Sequence, residues 1–330
     1  MSHIKTASLT TASLALAALL SAGAGQAAES PEGYDCDSIH FGQPNWTGVS
    51  VKTATAAWML EQLGYGTKVT KGSLPITYNA MAGGDIDAML AQWMPSQRSL
   101  YREFGIEGSI DLVSPNLQGG RYTIAVPSYV YEAGVTSLED LDAHMEKFGG
   151  EIFGIEPGSG GNDTVKSMLE DNYAGLGDWE LVASSEPGML SEVGKRTSSG
   201  EWIAFLGWAP HPMNVNYDIE YLSGGSDYWG PNKGEVIVNT AVREGYAWAC
   251  PNLGQFLDNY DWTVAEQSKG MALVREDDME PLEAGKQVVR ENPKMLQRWF
   301  DASGIYKTGG IDTADGAQDA KPAVTDALDL

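Results

Sequence analysis

The chain has 330 residues, 42% hydrophobic and 20% charged, with 45 Asp and Glu against 21 Lys and Arg and a formal net charge of −24. That length suits two lobes better than one small core, and the composition is that of a globular protein. The acid excess excludes a nucleic-acid partner, which needs a basic patch, and agrees with solubility in salty surroundings.

The chain opens with a short basic start (His3, Lys5), an apolar stretch around Leu14–Ala24 and small residues at Gly25–Ala28. This is the layout of a cleaved export signal over 1–28. A membrane anchor needs about 20 continuous apolar residues, and Ser21 and Gly23 break the run. The two cysteines, Cys36 and Cys250, both lie in the exported part. In an oxidising compartment they read as one disulfide, with two buried thiols as the alternative. No CxxC or Cys/His cluster accompanies them, so no metal is expected.

SIHFGQPNWTG (38–48) reads as a strand running into a turn, and VKTATAAWMLEQLGYG (51–66) as a helix with apolar spacing at Ala54, Trp58 and Leu63. TKVT is a short strand, PITYNAMAGGD a helix with a glycine stop, and AMLAQWMP (88–95) the next strand. A second series begins at EIFGIEPGSGGND (151–163), again strand into turn. There DTVKSMLEDNY (163–173) is a helix with Asn162 or Asp163 as N-cap. WELVASS is a strand, EPGMLSEVGKRTSSG a helix, and IAFLGWAP (203–210) the closing strand.

Both series read β-α-β-α-β, an α/β pattern in which each lobe is a doubly wound sheet flanked by helices. Phe41-Gly42 and Phe153-Gly154 repeat just before the first turn of each. RYTIAVPSYV (121–130) and a segment near 230–240 then serve as the two crossings between lobes. The expected layout is 29–120 as the first part of lobe I, 121–234 as lobe II, and 235–308 as the return to lobe I. The acidic segment 309–330 is expected to be a loose tail.

Ligands of open α/β sheets sit beyond the carboxyl ends of the strands. Trp46, Trp93 and Trp208 fall at such ends, beside Thr47, Pro95 and Pro210, and are read as lining an interlobe cleft. Trp58 and Trp299 sit on helical faces and are assigned to the core; Trp179, Trp202, Trp229, Trp248 and Trp262 are assigned to packing. An aromatic cluster suits a permanent cation without hydrogen-bond donors, such as a trimethylammonium group, because ring faces offer quadrupole attraction and apolar contact together. The glycine turn at 157–163 supplies amides at a helix start, a seat for a carboxylate at Ser159, Gly160, Gly161 and Asn162. Read alone, that turn is equally an ordinary connector. It lacks the Lys-Ser/Thr of a phosphate loop and the full GxGxxG of a dinucleotide site.

Catalytic motifs are missing: there is no GxSxG and no HExxH. Asp85 and Asp87 form a weak candidate pair for a secreted hydrolase, since nothing places them around a scissile bond. His211, after the second Trp-x-Pro, either touches a ligand or packs in its loop.

The motifs NWTG, LEQLGY, ITYNAMAGGDIDAMLAQWMP, RYTIAVP, GIEPGSGG and FLGWAPHPMN together resemble the periplasmic substrate-binding proteins of glycine betaine/choline/proline ABC importers, the choline-binding branch above all. The resemblance spans about 34–300. It implies a two-lobed periplasmic binding protein fold, type II-like, closing on a ligand in the interlobe cleft, with a periplasmic location and a membrane permease as partner. It implies an aromatic box of Trp46, Trp93, Tyr122 and Trp208, and neither enzymatic activity nor a cofactor. A monomer is expected. Choline-binding members carry Asp two residues after the first Trp and Asn in the glycine turn. Here those positions are Gly48 and Ser159. That departure favours glycine betaine or its sulfonium analogue dimethylsulfoniopropionate over choline or a carnitine-like ligand.

Overall fold

The structure, a computed structural model, describes residues 33–300, 306–308, 311–313 and 328. The expected export signal lies outside these residues. The first series forms β1 (Ser38–Gln43), α1 (Thr47–Gln62), β2 (Gly66–Lys71), α2 (Leu74–Ala82) and β3 (Ala88–Met94). A long strand, β4 (Ile110–Pro127), leads to the second series. That series comprises β5 (Glu151–Phe153), α3 (Gly160–Glu170), β6 (Glu180–Val182), α4 (Glu186–Ser199) and β7 (Ala204–Ala209). β8 (Ile219–Tyr221) and β9 (Glu235–Arg243) follow. Four helices close the described chain: α5 (Pro251–Asn259), α6 (Val264–Arg275), α7 (Pro281–Glu291) and α8 (Lys294–Phe300).

The strands run β2-β1-β3-β9-β4-β7-β5-β6, with β8 also paired to β4. The order 2-1-3 in one half is matched by 6-5-7 in the other, each parallel within itself. An antiparallel strand flanks each half, β9 beside β3 and β4 beside β7. β4 and β9 pair with each other from Ile110↔Arg243 to Arg121↔Glu235, so both cross from one half to the other.

Two hydrophobic cores follow this division. The first gathers Ile39, Phe41, Trp58 and Leu60 with Ala241, Phe256 and Trp299. The second gathers Ile124, Ile152, Val165, Phe205 and Val236. α6 and α7 pack on α1, which is why α1 is buried on nearly every face from Gly48 to Leu60.

The first crossing begins at Ile110, eleven residues before the stretch that reads as a strand in the sequence. Pro115 and Gly119-Gly120 break the alternation there, and the pairing absorbs them as register shifts against β9. The N-cap of α3 is Ser159, whose hydroxyl accepts from the amide of Asn162 at 3.3 Å, not Asn162 or Asp163. Trp248 is 83% exposed and does not pack. Of the expected tail, 309–330, the described residues are 311–313 and 328. Tyr306–Thr308 and Ile311–Thr313 pair antiparallel. Leu328 is buried in the first core and its carbonyl accepts from Arg290 at 3.2 Å. A disulfide joins Cys36 to Cys250, tying the approach to β1 to the start of α5. No helix among the described residues is long and apolar enough to cross a membrane.

Candidate functional site

Each ring of the expected box owes its position to the end of a strand or helix. Trp46 is the extended residue ahead of α1, and its carbonyl accepts the amide of Ser50 at 3.0 Å. Trp93 lies next to last in β3, where its carbonyl takes the amide of Gln97 at 2.9 Å. Tyr122 of β4 is directly paired with Trp208 of β7, whose carbonyl accepts from Asn214 at 2.9 Å. The strand-ending prolines Pro95 and Pro210 both follow cis peptide bonds.

Trp46, Trp93, Tyr122 and Trp208 line one hollow between the two cores, of about 550 Å³ including its mouth. Tyr122 stands at the centre of the cluster, 5.9 Å edge-on from Trp93 and 5.8 Å edge-on from Trp208. Trp229 supports it from behind at 5.6 Å. That backing role is not readable in the sequence, where Trp229 follows a short polar segment. Gly161 allows the close approach of Tyr122, because a Cβ there would lie 2.0 Å from the phenol oxygen. Burial raises the Tyr122 phenol well above its ordinary range, so the ring is neutral.

The glycine turn stands at the start of α3. Of its residues, Gly160 lines the hollow, with a would-be Cβ only 2.6 Å from the carbonyl oxygen of Ser96 across the interface. The Ser159 hydroxyl caps α3. The Asn162 carboxamide is fully buried and pins the preceding turn: its oxygen accepts from the amide of Ile155 at 3.0 Å, and its nitrogen donates to the carbonyls of Ile155 (2.8 Å) and Glu156 (3.2 Å). Asn162→Ala should therefore cost roughly 3 kcal/mol, because up to three buried backbone groups lose partners. Urea unfolding measures this, and an unchanged midpoint would deny the carboxamide that role.

Two carboxylates that sequence reasoning passed over cross the interface. Glu156 accepts from the Trp46 indole at 2.6 Å, with burial pushing its pKa upward despite that hydrogen bond. Glu186, the first residue of α4 and 2% exposed, accepts from the Thr47 hydroxyl at 2.7 Å and the His211 ring at 3.2 Å. Arg275 lies 4.0 Å away. Burial opposes its charge, but His211, Thr47 and Arg275 outweigh that and hold its carboxyl below the usual range. The amide of Met213 donates to His211 Nδ1 at 3.0 Å, which leaves Nε2 to donate to Glu186. His211 also sits edge-on to Trp208 at 4.9 Å. It braces both a cage ring and Glu186, and the hollow is lined by those two residues and not by His211. In the sequence Glu186 follows a Ser cap and reads as an ordinary helix-start acid; only the facing lobe makes it an interface residue.

Lys52, Gly48 and Gln267 line the hollow from the first lobe. Lys52 is 1% exposed, and burial pushes its ammonium down to about 7. A sequence signal for it exists: VKTATAAW has one charge in a helix with no polar face, and such a helix is buried all round. The acids of the hydrolase reading do not reach this place. Asp87 clamps three strands, accepting from the His40 amide at 2.8 Å and from Arg243 at 2.7 Å. Asp85 does not line the hollow. No group of three His, Cys, Asp or Glu able to hold a metal occurs among the described residues.

A two-lobed α/β molecule with crossing strands and an aromatic hollow between its cores has the architecture of a solute-binding protein. Residues 37–291 match the family model of the substrate-binding domain of ABC-type glycine betaine transport systems (OpuAC), and the chain belongs to that family. Its members are transport binding proteins that take small quaternary ammonium ligands and work with a membrane permease. Among solved structures, an ABC-transporter choline binding protein in complex with choline is 36% identical with a TM-score of 0.83, covering 89% of this chain and 98% of that one. Lactococcal OpuAC, closed on glycine betaine, is 28% identical with a TM-score of 0.72, covering 80% and 99%. The glycine betaine/carnitine transport binding protein GbuC of Listeria monocytogenes is 29% identical over 190 residues, 57% of this chain and 61% of that protein.

Proposed function

We propose that this chain is the exported, periplasmic binding subunit of an ABC importer and captures a methylated onium zwitterion, glycine betaine or dimethylsulfoniopropionate. The observation that carries the reading is the meeting of Trp46, Trp93, Tyr122 and Trp208 in one hollow between two cores. Four ring faces surround a fixed cation that has no proton to donate, each contributing roughly 0.5–2 kcal/mol when dry. Methyl burial adds about 0.8 kcal/mol per carbon, which together reaches the ~8 kcal/mol of micromolar affinity. Closure of the lobes about the β4–β9 crossing buries the ligand. Trp46–Glu156 and Thr47–Glu186 bridge the two lobes and support that closure.

A choline-type ligand is the second reading, favoured by the likeness to the choline binding protein. Gly48 argues against it, since it offers no side chain to the hollow for a hydroxyl to pair with. Calorimetry of the mature protein against glycine betaine, dimethylsulfoniopropionate, choline and proline is the test. The two zwitterions are expected to bind in the micromolar range and choline at least about tenfold more weakly. Choline binding as tightly as either zwitterion would give the site to the second reading, and no binding by any onium would remove both.

A further inference from the structure

We propose that Lys52, with the carboxamide nitrogen of Gln267 on the same hollow, is the seat for the ligand's carboxylate, so that the hollow selects a zwitterion over a simple cation. The assignment rests on the onium reading above, and deepens it by naming the other pole.

The charges around the hollow are unevenly matched. Glu186 has Thr47, His211 and Arg275 about it. The Lys52 ammonium, equally buried, makes one hydrogen bond, to the Asn116 carboxamide oxygen at 2.6 Å. No carboxylate among the described residues lies within 4.0 Å of it. Its helical neighbours one turn away, Gly48, Val49, Thr55 and Ala56, carry no charge. An ammonium has three donors, so two remain for a group entering the hollow. Asn116 cannot turn to follow it, because its nitrogen is engaged with Thr240 at 3.1 Å and Leu90 at 3.4 Å.

Gln267 lies on the same hollow. It is 3% exposed and lines the hollow, yet its carboxamide oxygen is buried with no hydrogen-bond partner. Its nitrogen occupies the room left by Gly48, 2.5 Å from where a Cβ would stand. That oxygen is an acceptor, completed by a donor such as water and not by a carboxylate; the part of Gln267 that a carboxylate can use is its nitrogen. A carboxylate accepts from the ammonium and from the carboxamide nitrogen. A bare cation leaves the two remaining donors of the ammonium without an acceptor.

Occupancy should therefore depend on the charge of Lys52, which burial holds near neutrality, at about 7. The other titratable groups here are Glu186, with His211 and Arg275 about it, and Glu156 on Trp46. On the helices packed against α1, Glu266 is tied to Arg298 and Lys286 lies over Trp58. The phenols of Tyr122 and Tyr260 are raised by burial and stay protonated. Pairing with a carboxylate raises the ammonium's pKa. Zwitterion affinity is then full below the unliganded value and falls above it, by up to about tenfold per pH unit.

The test is calorimetry of the mature protein with glycine betaine and with tetramethylammonium, for wild type and Lys52→Met, and for wild type across pH 6 to 9. Lys52→Met should weaken glycine betaine at least about thirtyfold, while tetramethylammonium binds as well or better. The wild-type glycine betaine affinity should fall above about pH 7, with no such fall for tetramethylammonium. Equal losses for both ligands in Lys52→Met, or an unchanged glycine betaine affinity, would overturn the assignment, as would a flat wild-type pH profile. Should Lys52→Met fail to fold, the pH profile decides. Wild type that binds neither ligand would remove the proposed function itself, and this seat with it.

Discussion

Trp208→Ala is expected to weaken glycine betaine binding by more than about tenfold, or ~1.4 kcal/mol, and Trp93→Ala likewise. The two rings both stand edge-on to Tyr122 at nearly equal separations, 5.9 and 5.8 Å, and both line the hollow. Removing either opens one wall of the cage and admits water to the cation. The double variant should lose binding by roughly the product of the two effects, less whatever coupling runs through the shared Tyr122. Trp208→Leu separates the causes: it keeps apolar contact with the methyl groups but removes the quadrupole, and should still lose several-fold. Trp248→Ala is the control, because that ring is 83% exposed and does not line the hollow. Titration by calorimetry reads all five, with circular dichroism to show that each folds. Unchanged affinity in both single variants would end the cage model.

Cys36→Ala with Cys250→Ala should lower the stability of the whole chain by up to roughly 5 kcal/mol while leaving ligand affinity nearly unchanged. The sequence separation is 214, and the entropy that a crosslink removes from the unfolded chain grows with the logarithm of the closed loop. Total stabilities are commonly about 5–15 kcal/mol, so this loss is a large fraction. For a chain of this size it corresponds to a fall in Tm on the order of 10 °C. Cys250 belongs to the first core, with Cys36 packed against it, and neither cysteine lines the hollow. Affinity at room temperature should therefore stay within about twofold. Scanning calorimetry with and without reductant measures the effect; a Tm unmoved by both the substitutions and reduction would show that the crosslink constrains nothing.

Much of the fold is legible along the chain because it rests on local periodicity. The paired β-α-β-α-β series come from alternating apolar runs and helical spacing, and their glycine stops and Trp-x-Pro endings mark where strands close. The same endings place Trp93 and Trp208 at carboxyl ends, where α/β sheets take ligands. The first crossing strand was only half legible, since Pro115 and Gly119-Gly120 look like a loop until β9 lies alongside to absorb the shifts. Trp248 and Trp229 show the same limit from two sides. Each is an aromatic on a single short helical turn, and one is left in solvent while the other is buried against Tyr122.

By itself, then, the sequence determined the α/β class, the internal duplication, and the place of Trp46, Trp93 and Trp208 at strand ends, because these depend on patterns within a few residues of one another. Only the tertiary structure decided which charges matter. Lys52 and Glu186 are ordinary helix residues until the lobes and the returning α6 and α7 remove the water around them, and desolvation is set by neighbours hundreds of positions away. The Gly160 turn likewise reads as an anion seat in isolation, whereas in three dimensions Ser159 and Asn162 are occupied in holding their own backbone. The reason is physical: a hydrogen-bonding side chain can serve a ligand only with the donors or acceptors that the fold has left unused, and that is a property of the packed molecule.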